Sequence, residues 1–337
     1  MKLMIAKKMK NIAPESSYRD IIEVADNVYN SRINLYEIGN DSPENIYEEM
    51  EALVEERGNN PVTEFGMMGP HGKINDIYGS LLRAGNITVI VARSGVGKTQ
   101  FCMDYSTKVS LKYDVPVKNL KFYYYNVGGM DVDSMVNTLK RFYYAKVGRG
   151  NQMVFSFDYI KTTSENNGNK SEWQVVGEMV DKFKKCVQKE ILHDGNPVIP
   201  MITSVQSNRY GITTNRTSQN IVDDESIVSL SDRITQFCSH MFILRSKTTD
   251  EVETEGGRFG THKLINVKAR HLGSDISGAV EPVSIGDSLR KNAINLDFNN
   301  FNITERGDLR DIARVLNGEE DLDSDGIQET IPDFDQF

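Results

Sequence analysis

Lys98 and Thr99 close a run whose residue types and spacing suit phosphate chemistry. Ala92-Arg93-Ser94-Gly95-Val96-Gly97-Lys98-Thr99 fits the pattern G-x-x-x-x-G-K-[ST], with Ala92 in the first Gly position. Gly97 lets the backbone approach an anion closely. Inward-pointing amides make an anion nest, and a helix N-terminus stands behind it. Lys98 supplies a point charge for outer phosphates and Thr99 a hydroxyl for a divalent metal. Arg93, Ser94, Gly95, Val96 and Gln100 complete the cradle. A chance Gly-rich turn has a similar composition. Here an apolar run, Ile87–Val91, precedes the loop and a helix-like pattern follows it.

A nucleotide site of this kind needs an acidic partner for Mg²⁺. Asp158 follows the apolar run Met153–Phe157, and ligands of parallel sheets gather at the carboxyl ends of strands. Asp158 is therefore the candidate to support the metal beside Thr99, the alternative being an Asp that caps the next loop. A third run, Val198–Thr203, leads to Gln206. That residue suits a sensor of the terminal phosphate, or is an ordinary strand exit. Lys268 and Arg270 leave the run Leu264–Val267 two residues apart, on one side of a strand. They suit a phosphate, or simply solvent.

The elements that must position these residues alternate. Strands are expected at Ile87–Val91, Leu120–Asn126, Met153–Phe157, Val198–Thr203, Met241–Leu244 and Leu264–Val267. Helices are expected from the loop to about Lys112, from about Asp131, and over Trp173 to Ile191, with a short one over Ile74–Leu82. This alternation predicts an α/β fold with a mainly parallel sheet. Ahead of it, residues 1–16 read as a Lys-rich arm. Two amphipathic helices then form a hairpin around the turn Gly39–Pro43, packing on their own domain or on a neighbouring subunit. The expected organisation is an arm and helical hairpin over 1–60, a nucleotide-binding domain over 61–317 and a disordered acidic tail over 318–337.

The chain of 337 residues carries a net charge of −9. Eight acidic residues and no Lys or Arg fall between Leu316 and Phe337, which leaves about −1 for the rest. A nearly neutral body is compatible with a basic channel, so acidity does not exclude nucleic acid. No run has the apolar length of a membrane span. The basic N-terminus lacks the apolar core of a secretory signal. Cys102, Cys186 and Cys238 are too widely spaced for a C-x-x-C pair. A cytoplasmic setting is the expectation. The tail closes on Ile331-Pro332-Asp333-Phe334-Asp335-Gln336-Phe337, similar to the partner-docking tips of single-strand-binding proteins, or a solubilising tail.

The order of these motifs, from about Tyr18 to Gly273, resembles the C-terminal part of DnaB-like replicative DNA helicases, particularly divergent phage versions. Tyr18–Arg57 is similar to the family's linker, which packs on the adjacent subunit of a ring. Phe65–Thr99 resembles the entry to its RecA-like ATPase core. Asp158-Tyr159-Ile160 is similar to its Asp-Tyr-Leu motif, Gln206 to its strand-end Gln, and Ser231-Asp232-Arg233 with Cys238–Leu244 to its Ser-Asp-Leu-Arg region. Lys268-Ala269-Arg270 resembles its Lys-x-Arg pair, which acts on the neighbour's ATP.

The resemblance implies a hexameric ring that uses ATP and Mg²⁺ to move 5′-to-3′ along single-stranded DNA in phage replication. A primase, a loader or a single-strand-binding protein are the implied partners. DNA would be held by Thr162–Glu172, with Lys161 and Lys170, and by Tyr210–Glu225, with Arg209 and Arg216, though plain surface loops have the same composition. The chain departs from the family at Asn126-Val127-Gly128-Gly129-Met130, where a catalytic Glu is expected. Asp131 is the candidate substitute. The spacing from Lys98 to Asp158 is shorter than in the bacterial enzymes, and the family's N-terminal primase-contacting domain is not evident. Two rival functions stay open: a RecA-like strand-exchange ATPase forming open filaments, and an ATP-binding, DNA-binding scaffold or loader with little turnover.

Overall fold

The computed structural model describes residues 50, 54–55, 66–113, 123–161, 172–207, 223, 232–286 and 288–318. The chain divides into two compact units, Met1–Thr63 and Glu64–Phe337. In the first unit the described residues, Met50, Val54 and Glu55, are helical. The rest of the expected hairpin and the acidic tail lie outside the described residues.

In the second unit the chain runs α1 (Gly72–Tyr78), β1 (Ile87–Ala92), α2 (Lys98–Tyr113), α3 (Val132–Phe142), β2 (Phe155–Ile160) and α4 (Glu172–Lys185). A small hairpin, β3 (Leu192–His193) and β4 (Asn196–Pro197), leads to β5 (Met201–Gln206). Then come α5 (Asp232–Phe237), β6 (His240–Ser246), α6 (Thr249–Glu255), β7 (His262–Ala269) and α7 (Ile276–Val280). The chain continues through β8 (Val283–Ile285), β9 (Ser288–Arg290), β10 (Ala293–Asn299), β11 (Asn302–Asp308) and α8 (Leu309–Leu316).

All six residues of β1 are buried, which requires cover on both faces. Ile87, Val89 and Val91 pack with Val136, Leu139, Val176 and Phe183 of α3 and α4. Ile90 and Ala92 share the other core with Ile74, Ile77, Phe101 and Tyr105 of α1 and α2. The alternation follows from the two-residue period of a strand. The main sheet has the order β11-β10-β7-β6-β1-β5-β2. Strands β2, β5, β1 and β6 are mutually parallel. From β6 the sheet continues antiparallel through β7, β10 and β11. The expected α/β class with a parallel sheet is present, extended by an antiparallel wing that the apolar runs did not reveal.

Three expected strands are corrected. The one expected at Val198–Thr203 spans Met201–Gln206, after Pro200, which has no amide to give a ladder. Leu120–Asn126 is not a strand over its described part: Tyr123 to Asn126 pair with nothing in a ladder, and Tyr124 is 83% exposed. Aromatic runs have strand propensity, but a strand needs a partner that buries one face. The strand before the acidic residue spans Phe155–Ile160 rather than Met153–Phe157, so Asp158 sits inside it. Its pairing with β5 is regular to Phe157↔Thr203 and resumes at Ile160↔Val205, which places Asp158 at a local break in the ladder. The short expected helix ends at Tyr78 rather than Leu82, because Leu82 bridges to Met67.

Charges are buried at the loop-side end of β6 and β7. Arg245 donates to both carboxylate oxygens of Asp223 at 2.9 Å, and to Glu251 at 2.6 and 2.9 Å. Lys263 joins Glu251 at 2.9 Å to Glu255 at 2.5 Å. Glu251 also accepts from the Thr248 amide, closing a capping box at the start of α6. Arg245 and Lys263 are paired across the β6–β7 ladder, so their heads fall on one face and meet the same carboxylate.

Candidate functional site

The loop between β1 and α2 hangs on two glycines. Gly95 has φ 81° and Gly97 φ 97°, a region that side chains avoid. At Gly97 a Cβ would also lie 2.8 Å from the Phe298 ring. The Gly97 carbonyl accepts from the Phe101 amide at 2.8 Å and so caps α2. The first amides of that helix have no acceptor within it. The Arg93 Nη2 atom is buried without a hydrogen-bond partner, an orphaned donor on a residue of this loop. The Lys98 ammonium lies 4.7 Å from the centre of the Tyr159 ring, held by an aromatic face rather than neutralised by that contact.

Sheet order brings the acidic residue to the loop. Strand β5 separates β1 from β2, and Asp158 reaches across it. Its Oδ2 accepts from the Thr99 hydroxyl at 2.8 Å, and its Oδ1 accepts from the Ser204 hydroxyl of β5 at 3.1 Å. Thr203, next to Ser204, donates to the Phe157 carbonyl at 2.7 Å and ties β5 to β2 just before Asp158. A hydroxyl and a carboxylate beside a phosphate cradle are the donor set that a hydrated Mg²⁺ takes. The residues present therefore fit a magnesium–nucleoside triphosphate: Arg93 to Thr99 for phosphate, Thr99 and Asp158 for metal. Such a metal supplies charge neutralisation and orients the phosphates when bound.

Gln206 pairs with Ala92, and the amide of Ser207 donates to the Ala92 carbonyl at 3.0 Å. The Gln206 side chain is exposed at the root of the loop. Gln100 is engaged elsewhere, its Nε2 donating to the Asn300 carbonyl at 2.6 Å. Lys161 is exposed directly after β2, on the edge where the parallel strands end. Lys170, Arg209 and Arg216 lie outside the described residues.

Asp131 is the N-cap of α3. One oxygen accepts from the Ser134 amide at 2.9 Å and the other from the Ser134 hydroxyl at 2.7 Å. These bonds hold its carboxyl below the usual carboxylate range, which weakens it as a base. Asn126 is exposed and accepts from the Gly128 amide at 2.9 Å.

Lys268 and Arg270 stand at the opposite edge of the sheet from the loop. Strand β7 runs antiparallel to β6, with Ala269 beside His240 and the Arg270 amide bonded to the Ser239 carbonyl. The loop begins beside Leu244. Lys268 pairs with Met241, so the offset is three residues for Lys268 and five for Arg270, roughly 10–17 Å of strand. Both side chains donate to backbone carbonyls at the end of α5, Lys268 to Thr235 and Arg270 to Gln236, where a helix terminus favours cations. Reasoning from sequence missed Ser204 and Phe298. The polar pair Thr203-Ser204 inside a buried strand was the one available sign of the first; nothing local marks the second.

Solved structures share this fold. A DnaB-like replicative helicase, solved with its interactions with primase, superposes with a TM-score of 0.53 at 13% identity, over 90% of this chain and 75% of that one. An ATPase domain solved on its own superposes with a TM-score of 0.53 at 13% identity, over 78% of this chain and 99% of that one. The fold is that of a DnaB-like ATPase core. No protein-family model matches the sequence, and no curated protein sequence matches it. Among the described residues, no helix is long and apolar enough to cross a membrane and no His, Cys, Asp or Glu cluster suits a metal by itself.

Proposed function

We propose that the protein is an ATP-dependent, ring-forming DNA helicase that translocates on single-stranded DNA during phage replication. The observation that carries this reading is the contact of Thr99 with Asp158 across β5, within a fold shared with DnaB-like helicases. Lys98 and the loop amides bind phosphate, Thr99 and Asp158 support Mg²⁺, and Gln206 senses the terminal phosphate. Lys268 and Arg270 serve the nucleotide of an adjacent copy. Their distance from the loop of their own chain supports that division. Lys161, Lys170, Arg209 and Arg216 belong to the DNA-contacting segments, and binding is sequence-independent and salt-sensitive. A primase, loader or single-strand-binding protein would act with the ring in the host cytoplasm.

Single-stranded DNA should stimulate ATP hydrolysis by the wild type, and Lys98→Ala should lower that rate about a hundred-fold or more. Wild-type turnover that single-stranded DNA leaves unchanged would count against translocation.

One observation favours a second reading. No carboxylate occurs over Asn126–Met130, and Asp131 is committed to capping α3. A protein that binds ATP and DNA but turns over slowly would then act as a scaffold or loader. Negligible ATPase beside tight nucleotide binding selects this reading.

A further inference from the structure

We infer that the turn between β10 and β11 forms the base-binding wall of the nucleotide site, with the Phe301 ring as its stacking face. This rests on the nucleotide reading above and extends it from phosphates to base. Asn299 pairs with Asn302, so the turn consists of Asn300 and Phe301. Asn300 has φ 53°, a left-handed conformation that Asn accepts in tight hairpins.

The turn is pinned beside the phosphate loop from several directions. Gln100, in the first turn of α2, donates to the Asn300 carbonyl at 2.6 Å. Lys108, further along the same helix, donates to Asn302 Oδ1 at 2.7 Å and to the Ile303 carbonyl at 2.9 Å. Below the turn, the Phe298 ring fills the space a Cβ on Gly97 would need and packs on His262 with ring centres 4.1 Å apart. The hairpin is thus anchored to the helix whose N-terminus faces phosphate.

Phe301 itself is 90% exposed. A single exposed Phe needs no explanation on an arbitrary surface. This one sits on a two-residue turn held against a phosphate cradle, where its ring contributes almost no packing. The phosphate-loop motif handles charge and has no group for a base. Ligand sites add an apolar surface to a few polar contacts, and a flat ring offers the π-face on which any base stacks. Stacking does not read base edges, so adenine and guanine nucleotides should be accepted with similar affinity.

Titration calorimetry on the full chain with Mg-ADP, Mg-GDP and magnesium tripolyphosphate tests this. Phe301→Ala should weaken both nucleotides roughly five- to a hundred-fold and leave tripolyphosphate unchanged, and Phe301→Trp should restore nucleotide affinity. Unchanged nucleotide affinity in Phe301→Ala overturns the inference while leaving the phosphate site intact. Equal weakening of tripolyphosphate also overturns it, because the effect then lies in the loop. A wild type that binds neither nucleotide removes the nucleotide reading and the inference with it. Loss of oligothymidine binding alone would assign the ring to DNA and overturn the base wall.

Discussion

Asp131 has two candidate roles that one pair of substitutions separates. As an N-cap it can be replaced by Asn, which accepts the Ser134 amide equally well; Ala cannot do so and costs about 1 kcal/mol. As a general base it cannot be replaced by Asn at all. The capping geometry predicts that Asp131→Asn keeps both thermal stability and ATPase rate, while Asp131→Ala loses stability. A large loss of turnover in Asp131→Asn with an unchanged melting temperature would restore it as the base. Gly97 is constrained twice, by its φ of 97° and by the Phe298 ring. Gly97→Ala should cost on the order of 1–3 kcal/mol in chemical denaturation and abolish nucleotide binding, because either the loop or the hairpin must shift.

At the scale of elements, α6 is held to β6 and β7 by charge. Glu251 is 2% exposed and lies between Arg245 and Lys263. Although burial opposes its ionisation, these two cations and the Thr248 amide hold the carboxyl well below the ordinary Glu range. A depressed folded-state value means that the stabilisation is fully present above the unfolded value of 4.5 and is lost as pH falls below it. Removing the carboxylate leaves two buried cations short of a partner. Glu251→Ala should therefore cost about 3–5 kcal/mol at pH 7, with a smaller deficit at pH 3. Denaturant titrations at both pH values check this, and an equal deficit at both would show that packing, not charge, holds α6.

At the scale of the whole molecule, the sheet separates the phosphate loop from Lys268 and Arg270 by roughly 10–17 Å of strand. If each site takes its loop from one copy and its cations from the next, two inactive variants should complement. Lys98→Ala and Arg270→Ala proteins, each without ATPase, should regain a fraction of wild-type rate when mixed, because some interfaces then combine an intact loop with an intact Arg270. Mixtures that stay as inactive as their components would place all the chemistry in one chain.

The loop, the α/β class and the meeting of Asp158 with Thr99 were legible in the sequence. They depend on local rules: a glycine where φ must be positive, a lysine and threonine at a fixed step, apolar runs of strand length. The sequence also marked Asn126–Met130 as lacking a carboxylate. Pairing across the sheet was not legible, because it depends on which strand chooses which neighbour. Only the tertiary structure put β5 between β1 and β2 and so lent Ser204 to Asp158. It alone moved the acidic residue inside β2, left Tyr123 to Asn126 outside any ladder, and brought Phe298, two hundred residues on, beneath Gly97. Local chemistry chose the residues of the site; long-range strand order, driven by burial of both faces of β1, decided which of them meet.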